Sequence, residues 1–485
     1  MPGRPNLVLI CADQWRGDCL SVDEHPVVHT PFLDRLALDG VRFSRAYSAT
    51  PSCIAARAGL FTGLSQRTHG RVGYRDGVAW DYPVTLAGEL TAAGYQTQAV
   101  GKMHVYPERS QVGFQSVTLH DGYLHFARRR HRPYEQVDDY LPWLRERAGR
   151  EADYAEHGLD CNGVTARPWP LDEYLHPTTW VATHSIDFLR RRDPRKPFFL
   201  FMSFHRPHPP YDPPVWAFDM YRDHEMGPRP VGDWASVFEA YHDPRRPDAS
   251  AGRIDPRVLR RALAGYYGHM THIDHQIGRF MEALGEYGLA GDTRVCFVSD
   301  HGELLGDHHL FRKSLPYEGS ARVPCILWGV PGAGRGTVCP EVVELRDIMP
   351  TLLECAGAPV PVALGGRSLL PLARGEKPAW RPYLHGEHAA FGQSIQWIVD
   401  GRWKYVWLSK EGREQLFDLH GDPAELHDRS ASPGAAEHLA RLRASLVGEL
   451  DGREEGYVEQ GRLVAGRPPR QVLSHLQARD ARAGE

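Results

Sequence analysis

Residues 6–12, NLVLICA, form a nearly unbroken apolar run that ends on Asp13. A run of that length without alternation reads as a strand buried on both faces, as strands of parallel sheets are. The pattern returns in PFFLFMSF (197–204), which leads to His205 and His208. It returns again in TRVCFVSD (293–300), which delivers Asp300 and then His301, and in VPCILWGV (323–330). VRFSRAYS (41–48) and YQTQAVGK (95–102) read as further strands, the second leading to Lys102. Helical patterns lie between them: PFLDRLALDG (31–40) with Pro31 early and Gly40 at its end, TLAGELTAAG (85–94), 178–191, the long amphipathic stretch 257–288 and ELRDIMPTLLECAG (344–357). The alternation predicts an α/β fold with a large mixed, mostly parallel sheet sandwiched by helices.

The rest of the chain is organised around that frame. Segments 107–175 and 209–255 lack clear periodicity and read as insertions in a catalytic domain spanning 1–375. Gly and Pro thicken around 360–382, after which SIQWIVDGRWKYVWLS and EQLFDLHGDP read as antiparallel strands of a small C-terminal domain, 376–450. The tail, 451–485, is polar and Arg-rich and reads as a disordered end or as an arm for a homo-oligomer. The net charge of -4 gives no global basic field, which argues against nucleic acid and acidic membrane as partners. The start MPGRPNLVLICADQ carries no long apolar leader, so a cytoplasmic protein is expected. Cys11, Cys19, Cys53, Cys161, Cys296, Cys325, Cys339 and Cys355 show no CxxC spacing and read as reduced thiols.

Two strand ends carry acids, Asp13 and Asp300, the latter followed by His301. Ligands of open α/β sheets sit at the carboxyl ends of the strands, and two carboxylates gathered there need a proton or a cation between them. Oxygen-rich ligation favours a hard cation, and the histidine widens the choice toward manganese or zinc. Taken singly, each Asp is more often a turn former. The second element is Cys53-Ile54-Ala55-Ala56-Arg57. Ser52 is a suitable N-cap, so Cys53 opens a helix with Arg57 on the same face. A bare C-x-x-x-R is usually packing, and a soft thiolate does not suit a hard metal.

P-S-C-I-A-A-R-A-G-L-F-T-G resembles the signature of the type I sulfatases of the alkaline phosphatase superfamily. The resemblance continues in order through TPFLDRLALDGVRFSRAYS, TLAGELTAAGYQTQAVGKMH, SFHRPHPPY, SDHGELLGDHHLFRKSLPYEGSARVP and LFDLHGDPAE. It implies an alkaline phosphatase-like fold and hydrolysis of a sulfate ester by formylglycine made from Cys53. It also implies a formylglycine-generating maturation enzyme as a partner. One divalent metal ion is implied, Ca2+ first, with Mn2+ or Mg2+ as alternatives. Asp13, Gln14, Cys53, Asp300 and His301 would hold the metal, Gln14 standing where many relatives have a second Asp. Arg57 would hold the formylglycine. Lys102 and Lys313 would contact sulfate oxygens, His104 would help the nucleophile, and His208 would face the leaving oxygen. The hydrated aldehyde is a geminal diol. One hydroxyl attacks sulfur, and the other lets the aldehyde reform as sulfate leaves, a step closed to serine.

Three departures from the common pattern stand out: Ala55 in place of Pro, Gln14 in place of Asp, and Arg75-Asp76-Gly77 where relatives have Asn before Gly. Asp76 at the metal would restore the missing charge. D-Q-W-R-G-D (13–18) also resembles the phosphonate monoester hydrolases and phosphodiesterases, a sister group; Lys102 and His104 tilt the reading to sulfate. A non-catalytic polyanion-binding protein, through ARRRHRP (127–133), is the third reading. His120, Tyr123, His125, Arg128–Arg130, His385, Glu387 and His388 are candidates for a pocket wall, with plain surface as the alternative. His269, His272 and His275 are spaced as a metal stripe or as buried polar positions on the long helix.

Overall fold

The computed structural model describes residues 3–122, 133–153, 158–243, 246 and 248–476. The opening run becomes β1 (Asn6–Asp13), buried along its whole length. It is the central strand of a nine-stranded sheet that also contains β2 (Val41–Tyr47), β3 (Gln96–Gly101), β4 (Ser116–Leu119), β5 (Phe198–Pro207), β6 (Thr293–Ser299), β7 (Arg322–Val323), β8 (Cys325–Trp328) and β9 (Thr337–Glu344). The order is β4-β3-β5-β1-β6-β8-β2-β7, with β9 on β2. The block from β4 to β6 is parallel, and β8 then runs against β6 and β2 against β8.

Alternate residues of β1 feed two cores. Val8, Ile10 and Ala12 pack with Phe198, Leu200 and the long helix Pro256–Glu286. Leu7, Leu9 and Cys11 pack on the other face with Ala58 and Leu60 of helix Cys53–Thr62 and Leu352 of helix Ile348–Cys355. Both faces are dry, which is why the run lacks polar alternation.

A second sheet has the order β10 (Leu384–Ala390), β11 (Gln393–Val399), β12 (Trp403–Leu408), β13 (Arg413–Asp418), all antiparallel. Helix Ala436–Leu450 covers one face through Leu442, Leu446 and Leu450. The other face packs on the first body through Trp397, Val406 and Phe417 against Tyr47, Trp234 and Tyr317. β4, β9, β10 and helix Ala436–Leu450 are elements that periodicity did not mark. The chain from 451 to 476 packs on its own molecule: Arg453 is buried between Glu387 and Glu455, and Val472 pairs with Arg71. No helix among the described residues is long and apolar enough to cross a membrane.

Candidate active site

The site grows from strand ends. Ala12 of β1 is in register with Ser299 of β6, so Asp13 and Asp300 emerge side by side. Ser299 Oγ donates to the Ala12 carbonyl at 2.9 Å and fixes that junction. Beyond β5, the His208 amide donates to the Asp13 carbonyl at 3.1 Å. Gly101, ending β3, is in register with Ser203. A Cβ there would stand 1.9 Å from the Ser203 carbonyl oxygen, and φ is +98°, so only glycine fits. That turn delivers Lys102.

Cys53 is the first residue of a ten-residue helix whose side chains are all buried. Ser52 occupies the N-cap with extended backbone, but its hydroxyl makes no capping bond, so the expected side-chain cap is absent. The Cys53 thiol lies 3.2 Å from His301 Nε2, 3.4 Å from Lys313 Nζ, 3.6 Å from Asp13 Oδ1 and 3.9 Å from Lys102 Nζ. Burial and Asp13 push this thiol up, but Lys102, Lys313 and His301 outweigh them and leave it below the usual thiol range.

Each carboxylate divides its oxygens. Asp13 gives Oδ2 to Lys102 and turns Oδ1 toward Cys53 and His301, 3.4 Å from His301 Nε2. Asp300 gives Oδ2 to Arg57 at 2.9 Å, while Oδ1 accepts from the Gln14 amide at 3.2 Å and faces His301 Nε2 at 3.7 Å. Ligand atoms of Asp13, Cys53, Asp300 and His301 therefore converge within 4.8 Å of one another, all buried. Gln14 sits at φ +74°, a strained setting for a side chain. Its amide oxygen accepts from Lys313 at 2.7 Å and its nitrogen is held by Glu303. Two convergent carboxylate oxygens, a ring nitrogen and a nearby amide oxygen fit a hard divalent cation, and an oxygen at position 53 would suit it better than sulfur.

Arg57 shares the face of Cys53, but its hydrogen bonds run to Asp300, to the Lys102 carbonyl at 2.7 Å and to Ser203 Oγ at 3.0 Å. It acts on position 53 through space while tying the ends of β3 and β6 to the middle of β5. Asp76 is partly exposed, accepts from the Gly77 amide and is not among the convergent donors. The histidines of the long helix scatter. His269 meets Asp212 and the Pro210 carbonyl, His272 meets Thr179 and Glu173, and His275 packs on Phe32 and Trp216, so they form no single stripe. Tyr123, His125, Arg128–Arg130 and nearly all of the basic run lie outside the described residues.

A cavity of about 460 Å³ opens onto Cys53 and brings Lys102, His104, His208 and Lys313 to one wall system. His104 has φ +55°, and its amide and that of Met103 both donate to Asp121 Oδ1 at 2.8 Å. His208 donates from Nδ1 to the Pro209 carbonyl at 2.8 Å, and burial, aided by Lys313, holds it well below the usual histidine range. His388 lines the cavity, whereas His385 and Glu387 point into a network with Gln66, Gln396 and Arg453. His120 is buried on Asp138. Sequence reasoning missed Tyr74, Asp121, Asn162, Glu303 and Arg312. Of these, Glu303 and Arg312 have the nearest thing to a signal, as charged residues in the loop that follows the 293–300 strand pattern.

The family model described as Sulfatase matches residues 5–358, and that of N-sulphoglucosamine sulphohydrolase, C-terminal, matches 306–451. The chain is 50% identical to an arylsulfatase of Clostridium perfringens over 98% of this chain and 100% of that protein. It is 30% identical to the multifunctional alkaline phosphatase superfamily protein PehA of Trinickia caryophylli, over 89% of this chain and 92% of that one. Among solved structures it resembles the phosphonate monoester hydrolase of Agrobacterium radiobacter with a TM-score of 0.77 and 30% identity, over 96% and 100% of the two chains.

Proposed function

The chain belongs to the sulfatase family of the alkaline phosphatase superfamily and hydrolyses sulfate esters, and from that premise we propose that the nucleophile is residue 53, converted from cysteine to formylglycine by a maturation enzyme. The observation that supports this most is the placing of Cys53, at a helix start, beneath a cavity, between two lysines and two carboxylates.

In this reading Asp13, Gln14, Asp300 and His301 hold one divalent cation, Ca2+ in preference to Mn2+ or Mg2+ because the donors are mostly oxygen. When bound, the ion supplies Lewis-acid chemistry, lowering the pKa of the nucleophile and offsetting charge on the sulfuryl group. The rest is done by the chain. Lys102 and Lys313 flank position 53 and bind sulfuryl oxygens, taking up charge as the ester bond breaks. Arg57 orients Asp300 and the Lys102 backbone. His104, whose backbone amide is held by Asp121, lines the same cavity as position 53 and would help the nucleophile. His208 keeps Nδ1 on Pro209, leaving Nε2 for a proton; the anionic ester offsets Lys313 and raises this imidazole toward the form that protonates the leaving oxygen. The eight cysteines all stand unbridged, which fits work in the cytoplasm.

Gln14 and the phosphonate monoester hydrolase neighbour favour a second reading in which the same nucleophile also attacks phosphorus. Steady-state rates on matched para-nitrophenyl esters test the choice. The sulfate is expected to exceed the phenylphosphonate in kcat/KM, and the reverse order would reject sulfate as the main substrate.

A further inference from the structure

Gln14 is held at all four of its polar groups. Its backbone, at φ +74°, donates from the amide to Asp300 Oδ1 at 3.2 Å and accepts at the carbonyl from the Tyr266 hydroxyl at 2.6 Å. Its side-chain nitrogen is held by Glu303 Oε2, and its side-chain oxygen accepts from Lys313 Nζ at 2.7 Å. The residue is fully buried.

The last two partners leave the amide one way to point. The two ends of an amide group are nearly alike in shape, so its orientation is set by what it touches. A carboxylate only accepts and an ammonium only donates. Both demand the same setting, nitrogen to Glu303 and oxygen to Lys313, whose Nζ is also 3.4 Å from Cys53 Sγ. Lys313 hangs on a flexible stem and serves the sulfuryl group as well, so Glu303 is the fixed half of the pair.

Glu303 itself has no room to swing. It is 1% exposed, and its Oε1 accepts from the Leu305 amide at 2.8 Å and from the Arg312 amide. Its carbonyl accepts from Arg16 at 2.8 Å, and the Leu304 amide donates to the Arg312 carbonyl at 2.8 Å, which closes the same loop. The carboxylate thus sits at the neck of the loop that joins His301 to Lys313. All three groups that meet it, from Leu305, Arg312 and Gln14, are N–H donors, the set a carboxylate accepts. Position 14 carries an amide where many relatives carry a carboxylate. Glu303 returns that negative charge one hydrogen bond further out, and by accepting from the amide N–H it makes the amide oxygen a better donor to a cation.

We propose that Glu303 is a positioning residue for the cation, holding the Gln14 amide with its oxygen to the metal site and supplying from one hydrogen bond away the charge that position 14 lacks. This rests on the reading in which Asp13, Gln14, Asp300 and His301 hold one divalent cation. Calorimetric titration of Ca2+ into the chelator-stripped, full-length protein tests it. Glu303→Gln keeps the shape but sets one NH2 against another, so the Gln14 amide turns its oxygen away, and Kd is expected to rise about ten- to hundredfold. Gln14→Glu alone presses two carboxylates together and is expected to bind more weakly than the exchange Gln14→Glu with Glu303→Gln. The exchange restores an acceptor at the metal and a donor behind it, and its Kd is expected to return to the native value or below. A role confined to folding would lower the melting temperature of the metal-free protein and leave Kd in place. An unchanged Kd in Glu303→Gln, or the same loss in that variant and in the exchange, would overturn the proposal. If Glu303→Gln does not fold, an exchange variant that binds no better than Gln14→Glu alone overturns it equally. Native protein that binds neither Ca2+ nor Mn2+ removes the cation reading and this inference with it; native binding that is indifferent to Glu303→Gln rejects this inference alone.

Discussion

Two clusters of buried charge sit on either side of Tyr317 in the chain, and they behave as opposites. Between the two sheets, Lys404 on β12 is fully buried and spends all three ammonium protons: on the Pro316 carbonyl at 2.8 Å, on Glu318 at 2.7 Å and on Glu425 at 2.8 Å. Glu318 is tied in addition to Arg322 and Tyr47. At the strand ends, Asp13, Asp300, His301, Lys102 and Lys313 are gathered as tightly, but each carboxylate keeps an oxygen turned to a common point and both lysines lean on a thiol at the floor of a cavity. Depth and residue type are shared. What separates structure from chemistry is whether the chain itself uses up the polar capacity of the cluster. A satisfied cluster holds two sheets together, and an incomplete one facing a cavity awaits a ligand.

That contrast can be broken by mutation. Cys53→Ala should lower kcat/KM by about 10⁴-fold or more, since it removes the bond-forming group, with the urea midpoint unmoved. A variant that retains activity would empty the strand-end cluster of its meaning. Lys404→Met should do the reverse. It strands two buried carboxylates and should cost about 3–5 kcal/mol in urea unfolding, with kcat of the folded fraction intact. Arg57→Lys tests the residue that is structural in its bonds and catalytic in its effect. Losing the fork to Asp300, Lys102 and Ser203 should cost about a hundredfold in kcat/KM, through misplacement of the site. The last test removes the metal. Dialysis against a chelator should abolish turnover and lower stability by about 2.7 kcal/mol relative to protein at a hundredfold excess of Ca2+ over its Kd, restored on adding the ion. Calorimetry that shows the same melting temperature and activity with and without chelator would remove the cation from the account.

Much of the strand-end cluster was legible in the sequence because it depends on local patterns. β1 announces itself by seven residues that tolerate no water on either face, and parallel pairing with β6 then forces Asp13 against Asp300. Cys53 is legible as a helix start even though Ser52 does not cap with its side chain. The partners of Arg57 were not legible, because an i+4 relation fixes a face and not what lies opposite it. β10 escaped for a different reason. LHGEHAA is buried on both faces, yet its polar residues are paid for by partners far along the chain, His385 with Gln66 and Glu387 with Arg453. The Arg-rich end read as a loose tail for the same reason: Arg453 finds its place against Glu387, 66 positions back, and Val472 against Arg71 near the start of the chain. His388 sits at that boundary, visible as a polar residue in the sequence and meaningful only beside the cavity.

The central claim is that position 53 is a modified nucleophile. Mass spectrometry of the peptide spanning residues 42–67, from protein purified active from its own host and titrated against turnover of an aryl sulfate, tests it most directly. The expected result is an aldehyde in place of the Cys53 thiol, with the converted fraction tracking kcat across preparations. Full activity in protein whose Cys53 is wholly an unmodified thiol would contradict the account.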